Sequence, residues 1–120
     1  MARQRTNPDF LNGVPELLIL KLLEAEALHG YEIVRRIRVL SGRTLEFGEG
    51  CIYPILHRLE AEGMLRSRRE QVGGRLRVVY RLTAKGGRRL KETASQWQRV
   101  VAAIGKIMEG SGDAGQIGMA

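Results

Sequence analysis

The run GEGCIYPILHRLEAEGML, residues 48–65, combines side chains that could contact a polyanion with a backbone start that could approach one closely. Its apolar residues recur at intervals of three and four, the spacing of an amphipathic helix: Ile52, Ile55, Leu56 and Leu59. The opposite face then carries Cys51, Tyr53, His57 and Arg58. Histidine and arginine donate hydrogen bonds to phosphates and base edges. The spacing therefore predicts a helix suited to nucleic-acid contact.

The start of this predicted helix consists of residues that weaken helices: Gly48, Gly50 and Pro54. Without side chains, the two glycines would let the backbone approach a sugar-phosphate chain, and the free N–H groups of a helix N-terminus favour a phosphate there. Pro54 is tolerable only in or just past the first turn, where its missing N–H costs little. We therefore expect this end of the helix to face nucleic acid.

The basic residues are concentrated after this helix. Ten of the 20 Lys and Arg residues lie between Arg66 and Lys91, where Glu70 is the single acid, and the formal net charge of the whole chain is +7. Such a distribution favours a polyanionic partner, although a merely soluble basic protein has the same composition.

Two short runs in this basic segment are rich in β-branched or aromatic residues and flank Gly73 and Gly74, which predicts a hairpin. Its candidate phosphate contacts are Arg68, Arg69, Gly74, Arg75 and Arg77. Arg75 or Arg77 could also enter a minor groove. A solvated basic surface is the alternative interpretation.

Two further helices are predicted before the opening run. Residues 15–26 begin with a proline at the first helical position and are apolar nearly all round, as expected of a helix covered on more than one side. Residues 30–41 are predicted to form an amphipathic helix. Its solvent-exposed face carries Arg35 and Arg36 as additional candidate DNA contacts. His29 is expected to help the turn before this second helix.

A long helix is predicted from an N-cap at Thr83 to about Met108. Its apolar residues step by four and three, a heptad pattern that packs helix on helix: Leu90, Ala94, Trp97, Val101, Ile104 and Met108. These residues, with Leu17 and Leu20 of the first helix, form the predicted dimer interface. The simplest interpretation of Trp97 is a core residue of this interface. The alternative is an aromatic side chain that lines a binding site for a planar effector.

Several function classes find no support. One cysteine excludes an internal disulfide framework, and no apolar run approaches the length of about 18 residues of a membrane span, so we expect a cytoplasmic, nucleoid-associated protein. Cys51, His29 and His57 lack the paired spacing of a zinc site. No nucleophile triad or phosphate loop is present, so we expect neither an enzyme nor a cofactor. Cys51 is interpreted as an inert small residue, with a redox-active thiol as the alternative.

The order helix, helix, helix, hairpin, long helix is typical of a winged helix-turn-helix, whose third helix enters the major groove. The predicted fold class is mainly α (α+β), with a two-stranded wing. We divide the chain into an N-terminal arm (1–12), a winged helix-turn-helix domain (13–82), a C-terminal dimerisation helix (83–108) and a disordered tail (109–120).

Three motifs together resemble the PadR-like transcriptional regulators of bacteria and archaea: HGYEI at 29–33, YP-x-LHRLE-x-EG at 53–63 and Y-x-LT at 80–83. The resemblance covers roughly residues 10–108. It implies a dimer that binds a near-palindromic operator in double-stranded DNA and usually represses. The single long C-terminal helix is similar to the short subgroup, some members of which respond to aromatic compounds. Cys51 departs from the family, which more often has threonine or serine there.

Two other functions stay open at this stage. A basic winged helix can hold RNA or DNA by charge alone, in which case affinity falls steeply with salt but hardly varies with sequence. The heptad helix could instead dock a different protein, and a stable homodimer would argue against that alternative.

Overall fold

The computed structural model describes residues 13–110 of the 120-residue chain. The predicted arm (1–12) and the predicted tail beyond Gly110 lie outside the described residues. The elements, in chain order, are α1 (Val14–Ala25), β1 (Leu28–His29), α2 (Gly30–Leu40), α3 (Glu49–Ala61), β2 (Leu65–Val72), β3 (Arg75–Leu82) and α4 (Ala84–Glu109). The chain divides into two compact units, one ending at Leu90 and the other beginning at Lys91.

The predicted hairpin is present, and a third strand extends its sheet. β2 and β3 pair antiparallel from Leu65↔Leu82 to Val72↔Arg75. The turn is made by Gly73 and Gly74, whose φ angles of 59° and 81° favour glycine. β1 pairs with β3 on its other side, giving the sheet order β1-β3-β2. The winged-helix class and its two-stranded wing are therefore confirmed. β1 was not predicted, because two residues are too few to show an alternating pattern.

The core of the first unit lies where α1, α2 and α3 meet. Its fully buried side chains are Ile19, Leu20, Ile33, Ile52, Leu56 and Leu59. Leu65 and Tyr80 of the sheet and Leu90 of α4 belong to the same cluster. Leu20 is 0% exposed and Leu90 is 3% exposed, so both pack inside their own chain. The prediction that Leu20 and Leu90 belong to a dimer interface is wrong, because neither side chain has exposed surface that a second copy could contact.

Thr83 fixes the start of α4, as predicted. Its hydroxyl oxygen accepts a hydrogen bond from the Gly86 N–H at 3.1 Å and its O–H donates to the Gly63 carbonyl at 2.6 Å. The Thr83 N–H donates to the Met64 carbonyl at 3.0 Å. These bonds attach the beginning of α4 to the segment that follows α3, so the first turn of α4 belongs to the winged-helix unit.

Candidate nucleic-acid interface

The N-terminal end of α3 is open to solvent. Gly48 is its N-cap and provides no side-chain cap, and a Cβ placed on Gly48 or Gly50 would have no heavy atom within 4 Å. Pro54 is the sixth helical residue, just past the first turn, so its ring removes only the bond that would otherwise reach the Gly50 carbonyl. A phosphate backbone could therefore approach this end without steric hindrance from the described residues.

Four predicted contact residues share the exposed side of α3: Gly50, Cys51, Pro54 and His57. Burial raises the pKa of the Cys51 thiol, so the thiol form prevails at neutral pH. That direction is opposite to the lowered pKa on which the redox alternative depended. Within residues 13–110, no group of three or more His, Cys, Asp or Glu side chains could hold a metal ion.

Tyr53 differs from the prediction that it faces outward. Its side chain is half-buried and packs against the core. A Cβ on Gly30 of α2 would fall 2.5 Å from Cε1 of Tyr53, so the ring occupies the space that this glycine leaves. Burial is the main reason that the pKa of the Tyr53 phenol is raised. Tyr53 thus holds α3 against α2, and no more than its edge is available to a ligand.

Arg58 lies on α3 with 45% of its side chain exposed, but its guanidinium already has carboxylate partners. Nη2 donates to Oε1 of Glu16 in α1 at 2.8 Å, and Nη1 donates to Oε1 of Glu62 at 3.3 Å. The hydrogen bond to Glu16 is the largest of the interactions that raise the pKa of Arg58. Contact with a phosphate would therefore require Arg58 to exchange partners.

Arg35 and Arg36 of α2 are likewise bound to acids. Both donate to the carboxylate of Glu32, at 2.6 Å from Arg35 Nη2 and 2.8 Å from Arg36 Nε, and Arg36 also reaches Glu26 at 2.7 Å. The hydrogen bonds to Glu32 lower its pKa from 4.5 to about 2, and the bond from Arg35 contributes most. Glu32 precedes Arg35 and Arg36 by three and four residues, the spacing of ion pairs along a helix. The prediction of DNA contact at these arginines did not take that spacing into account.

The wing has two faces, because residues paired across antiparallel strands point to the same side. We call the side that turns toward α3 the inner face, since the Ser67 hydroxyl on it donates to Glu60 of α3 at 2.7 Å. The inner face continues with Arg69, Gln71, Leu76, Val78 and Tyr80. The opposite, outer face carries Arg66, Arg68, Glu70, Val72, Arg75, Arg77, Val79 and Arg81.

The predicted wing arginines differ in their pairing. Arg68 donates to Glu70 at 3.2 Å, and Glu70 also pairs with Arg81 at 2.6 Å, the interaction that contributes most to lowering the pKa of Glu70. In the described part of the chain, Arg69, Arg75 and Arg77 form no ion pair with a carboxylate. These three guanidinium groups, beside the exposed Gly73-Gly74 turn, are therefore available to an external anion.

Arg77 lies electrostatically close to both neighbouring helices. Its charge is among the causes of the lowered pKa of His29, after burial, and it opposes the rise in the pKa of Tyr53. His29 is the N-cap residue of α2, and its ring stacks on Tyr31 with centroids 6.4 Å apart. His29 was expected to help a turn before α2, but it belongs to β1 and precedes α2 directly, without a side-chain cap hydrogen bond. Its proximity to the wing was not predicted.

The second unit contains residues 91–109 of α4, whose apolar stripe is exposed. The predicted seam residues Trp97, Val101, Ile104 and Met108 are 38%, 48%, 53% and 70% exposed. Val100 and Ile107, which the prediction omitted, are 47% and 76% exposed and widen the stripe on one side. Ala94 is half-buried, as is Leu17 in α1. None of the described helices is long and apolar enough to cross a membrane.

Comparison with known proteins agrees with this geometry. Residues 19–92 match the model of the transcriptional regulator PadR-like family. A transcriptional regulator of Mycobacterium tuberculosis is 37% identical over 84 residues, which cover 70% of this chain and 76% of that protein. A transcriptional regulator from Clostridium thermocellum of known structure is 28% identical, with a TM-score of 0.75 over 82% of this chain and 97% of that chain. Bacillus subtilis PadR, solved in complex with operator DNA, is 29% identical, with a TM-score of 0.62 over 68% of this chain and 46% of that chain.

Proposed function

The chain belongs to the PadR-like family of transcriptional regulators, and from that premise we propose that it is a homodimeric repressor that binds an inverted-repeat operator in double-stranded DNA. Family membership makes it a DNA-binding transcriptional regulator rather than an enzyme. The proposal adds the dimer, the operator symmetry, the direction of control and the contacting residues. Such a protein would act at the nucleoid in the cytoplasm.

One observation carries the proposal: the open N-terminal end of α3 and the unpaired arginines of the wing occur in the same compact unit. Gly48 and Gly50 would let the backbone N–H groups of the first turn approach a phosphate. His57 is exposed on the same side of α3, where it would contact a base edge or phosphate in the major groove. Arg75 and Arg77 would bind the neighbouring backbone or minor groove.

The exposed stripe of α4 supports the homodimer. A strict heptad seam contacts one neighbouring helix, whereas Val100 and Ile107 extend this stripe beyond the seam that includes Trp97. We infer that α4 packs against two elements of the second copy, the equivalent α4 and α1. Two α3 helices would then lie about one DNA turn apart, roughly 34–36 Å, which requires an inverted repeat.

Effector control belongs to the same proposal. Trp97 is 38% exposed in the single chain, so its ring would line the space between two copies. A planar aromatic compound that enters there and binds one arrangement of the dimer better than another would shift the DNA-binding population. Quenching of Trp97 fluorescence by a compound that also releases DNA would support this, and insensitivity to a broad aromatic panel would contradict it.

The first test of the function is a salt titration with two DNA fragments of equal length. One fragment comes from immediately upstream of the coding region of this protein, and the other is a scrambled sequence. We expect a preference of roughly 10³ or more for the upstream fragment at physiological salt. His57→Ala should reduce that preference.

Val39→Ala is the matched control, because it truncates an exposed side chain of α2 and leaves the surface of α3 unchanged. Equal binding of the two fragments with the same salt slope, repeated over a genomic fragment library, would favour binding by charge alone.

A further inference from the structure

Two large apolar side chains are exposed in the middle of the most basic segment of the chain. Leu76 is 59% exposed and Val78 is 42% exposed. They are two residues apart on β3 and both belong to the inner face of the wing, opposite Gln71 and Arg69 of β2. Neither belongs to the hydrophobic core cluster of the described residues. The fold itself therefore does not account for their apolar character.

Sheet topology explains why these side chains are uncovered. β1 pairs only with Val79 and Tyr80, so the wing beyond Val79 is a ribbon of two strands. Ser67 and Tyr80 of the inner face pack against the helices. Leu76 and Val78 continue that face toward the Gly73-Gly74 turn. Exposed apolar area of this kind is typical of a surface that a partner covers.

The charged residues around Leu76 and Val78 indicate which kind of partner covers them. Arg69 lies directly opposite Val78 on the same inner face, whereas Arg75 and Arg77, the neighbours of Leu76 along β3, belong to the outer face. Each of these guanidinium groups is without an ion pair to the described residues. An apolar patch bordered by unpaired arginines is complementary to a nucleic-acid backbone, in which apolar deoxyribose C–H surfaces alternate with phosphates.

We propose that Leu76 and Val78 are DNA-contacting residues of the wing, which pack on the deoxyribose surface of the strand whose phosphates Arg69 holds from the same face, while Arg75 and Arg77 of the outer face bind phosphates of the adjacent backbone. The inference rests on the proposed function. It divides the wing contact into two parts: the arginines supply attraction that falls with salt, and the apolar pair supplies a contribution from burial that does not depend on displaced ions.

The experiment measures duplex affinity across a range of salt for polar variants of nearly unchanged shape. The double variant Leu76→Asn with Val78→Thr keeps approximately the same volumes but replaces the apolar surface. We expect its affinity to fall by roughly tenfold at every salt concentration, with the salt slope unchanged. Arg75→Ala should instead reduce the slope by about one.

Two matched variants control for chemistry and folding. Val39→Thr makes the same change at an exposed valine of α2, where 49% of the residue is accessible, and should leave DNA affinity unaltered. Leu76→Met retains an apolar side chain and should keep more of the affinity than Leu76→Asn. The thermal unfolding midpoint and the sedimentation of each variant show that the fold and oligomeric state are retained.

Several results would overturn the inference. Unchanged affinity in the double variant would mean that DNA does not cover this face. Loss of affinity together with loss of the oligomer would assign the face to contact between copies of the chain. A reduced salt slope would mean that the loss is electrostatic. Absence of DNA binding by the unmodified protein would instead contradict the proposed function, and the inference with it.

Discussion

The carboxylate of Glu16 binds Arg58 of α3 through Oε1 at 2.8 Å. Its other oxygen, Oε2, accepts from Nε of Arg89 in α4 at 3.1 Å. Glu16 is 13% exposed in its side chain, so one largely buried carboxylate joins three helices of the winged-helix unit. The same carboxylate binds the guanidinium of Arg58, which would otherwise be available to a phosphate. Glu16 is therefore expected to compete with DNA for Arg58.

Glu16→Gln should raise affinity for non-specific duplex DNA by a few-fold and steepen its salt slope by up to about one, because Arg58 becomes available to a phosphate. Glu24→Gln is the control. It removes one negative charge from the same helix, where Glu24 pairs with Lys21, without freeing Arg58. Equal effects of the two substitutions on slope and affinity would show that only net charge matters.

Gly86→Ala should destabilise the protein by about 1–3 kcal/mol. A Cβ at this position would overlap the Met64 carbonyl oxygen and lie 2.7 Å from Cδ1 of Leu82. The Met64 carbonyl also accepts the Thr83 N–H, so it cannot move without loss of that bond. Chemical denaturation measures the change in the free energy of unfolding.

Gly87→Ala provides the contrast in the same helix. Its Cβ would meet nothing closer than Cδ2 of Leu82 at 4.0 Å. Alanine should therefore stabilise the helix by about 0.5–1 kcal/mol through reduced backbone entropy in the unfolded chain. Destabilisation of similar size by both alanines would disprove the close approach of α4 to Met64.

Glu32→Gln should lower stability at neutral pH and lose that effect in acid. The pKa of Glu32 is lowered from 4.5 to about 2 in the folded protein, so the contribution of its carboxylate is complete above about pH 5 and disappears as the pH falls from 4.5 towards 2. Because the surrounding arginines are solvated, we expect only about 0.5–1 kcal/mol at pH 7.

The measurement for Glu32 is the difference in unfolding free energy between the unmodified protein and Glu32→Gln at pH 7, 4 and 2.5. Taking the difference cancels the titration of the other carboxylates. Glu24→Gln is a suitable control, since the Glu24 side chain is 48% exposed and pairs with Lys21, whose side chain is 69% exposed. A difference that stays constant with pH would contradict the hydrogen bonds from Arg35 and Arg36.

Sequence periodicity was sufficient for the main elements but not for side-chain partners. The spacing of Ile52, Leu56 and Leu59 predicted α3 because buried residues must share one helix face. The glycine pair predicted the wing because its φ angles suit few other residues. β1 carried no comparable signal, since its pairing with Val79 and Tyr80 is a tertiary interaction.

The candidate site was predictable in outline for the same reason. Composition located the basic wing. Arg36 and Arg58 each have one acid four residues away, but their second acids lie ten and 42 positions away, which no local pattern reveals. Tyr53 was expected to face outward because it lies off the spacing of the apolar residues of α3. Only the packing against Gly30 indicates that its ring belongs mainly to the α2–α3 contact.

Ile104→Glu should convert the proposed dimer into a monomer and thereby weaken operator binding. Ile104 is 53% exposed in the middle of the α4 stripe, and a charge buried at a helix interface without a partner is unfavourable. Ser95→Glu introduces the same charge in the same helix away from the stripe and should leave the dimer intact. Sedimentation equilibrium at micromolar concentration distinguishes the two states.

Operator binding by these α4 variants links assembly to function. If two α3 helices must bind together, a monomer loses the second half-site, so Ile104→Glu should lose most of its preference for an inverted repeat yet retain weak binding to non-specific DNA through the intact wing. A dimeric Ile104→Glu protein would exclude this stripe as the interface. A monomeric variant with full operator affinity would show that one winged-helix unit is sufficient for recognition.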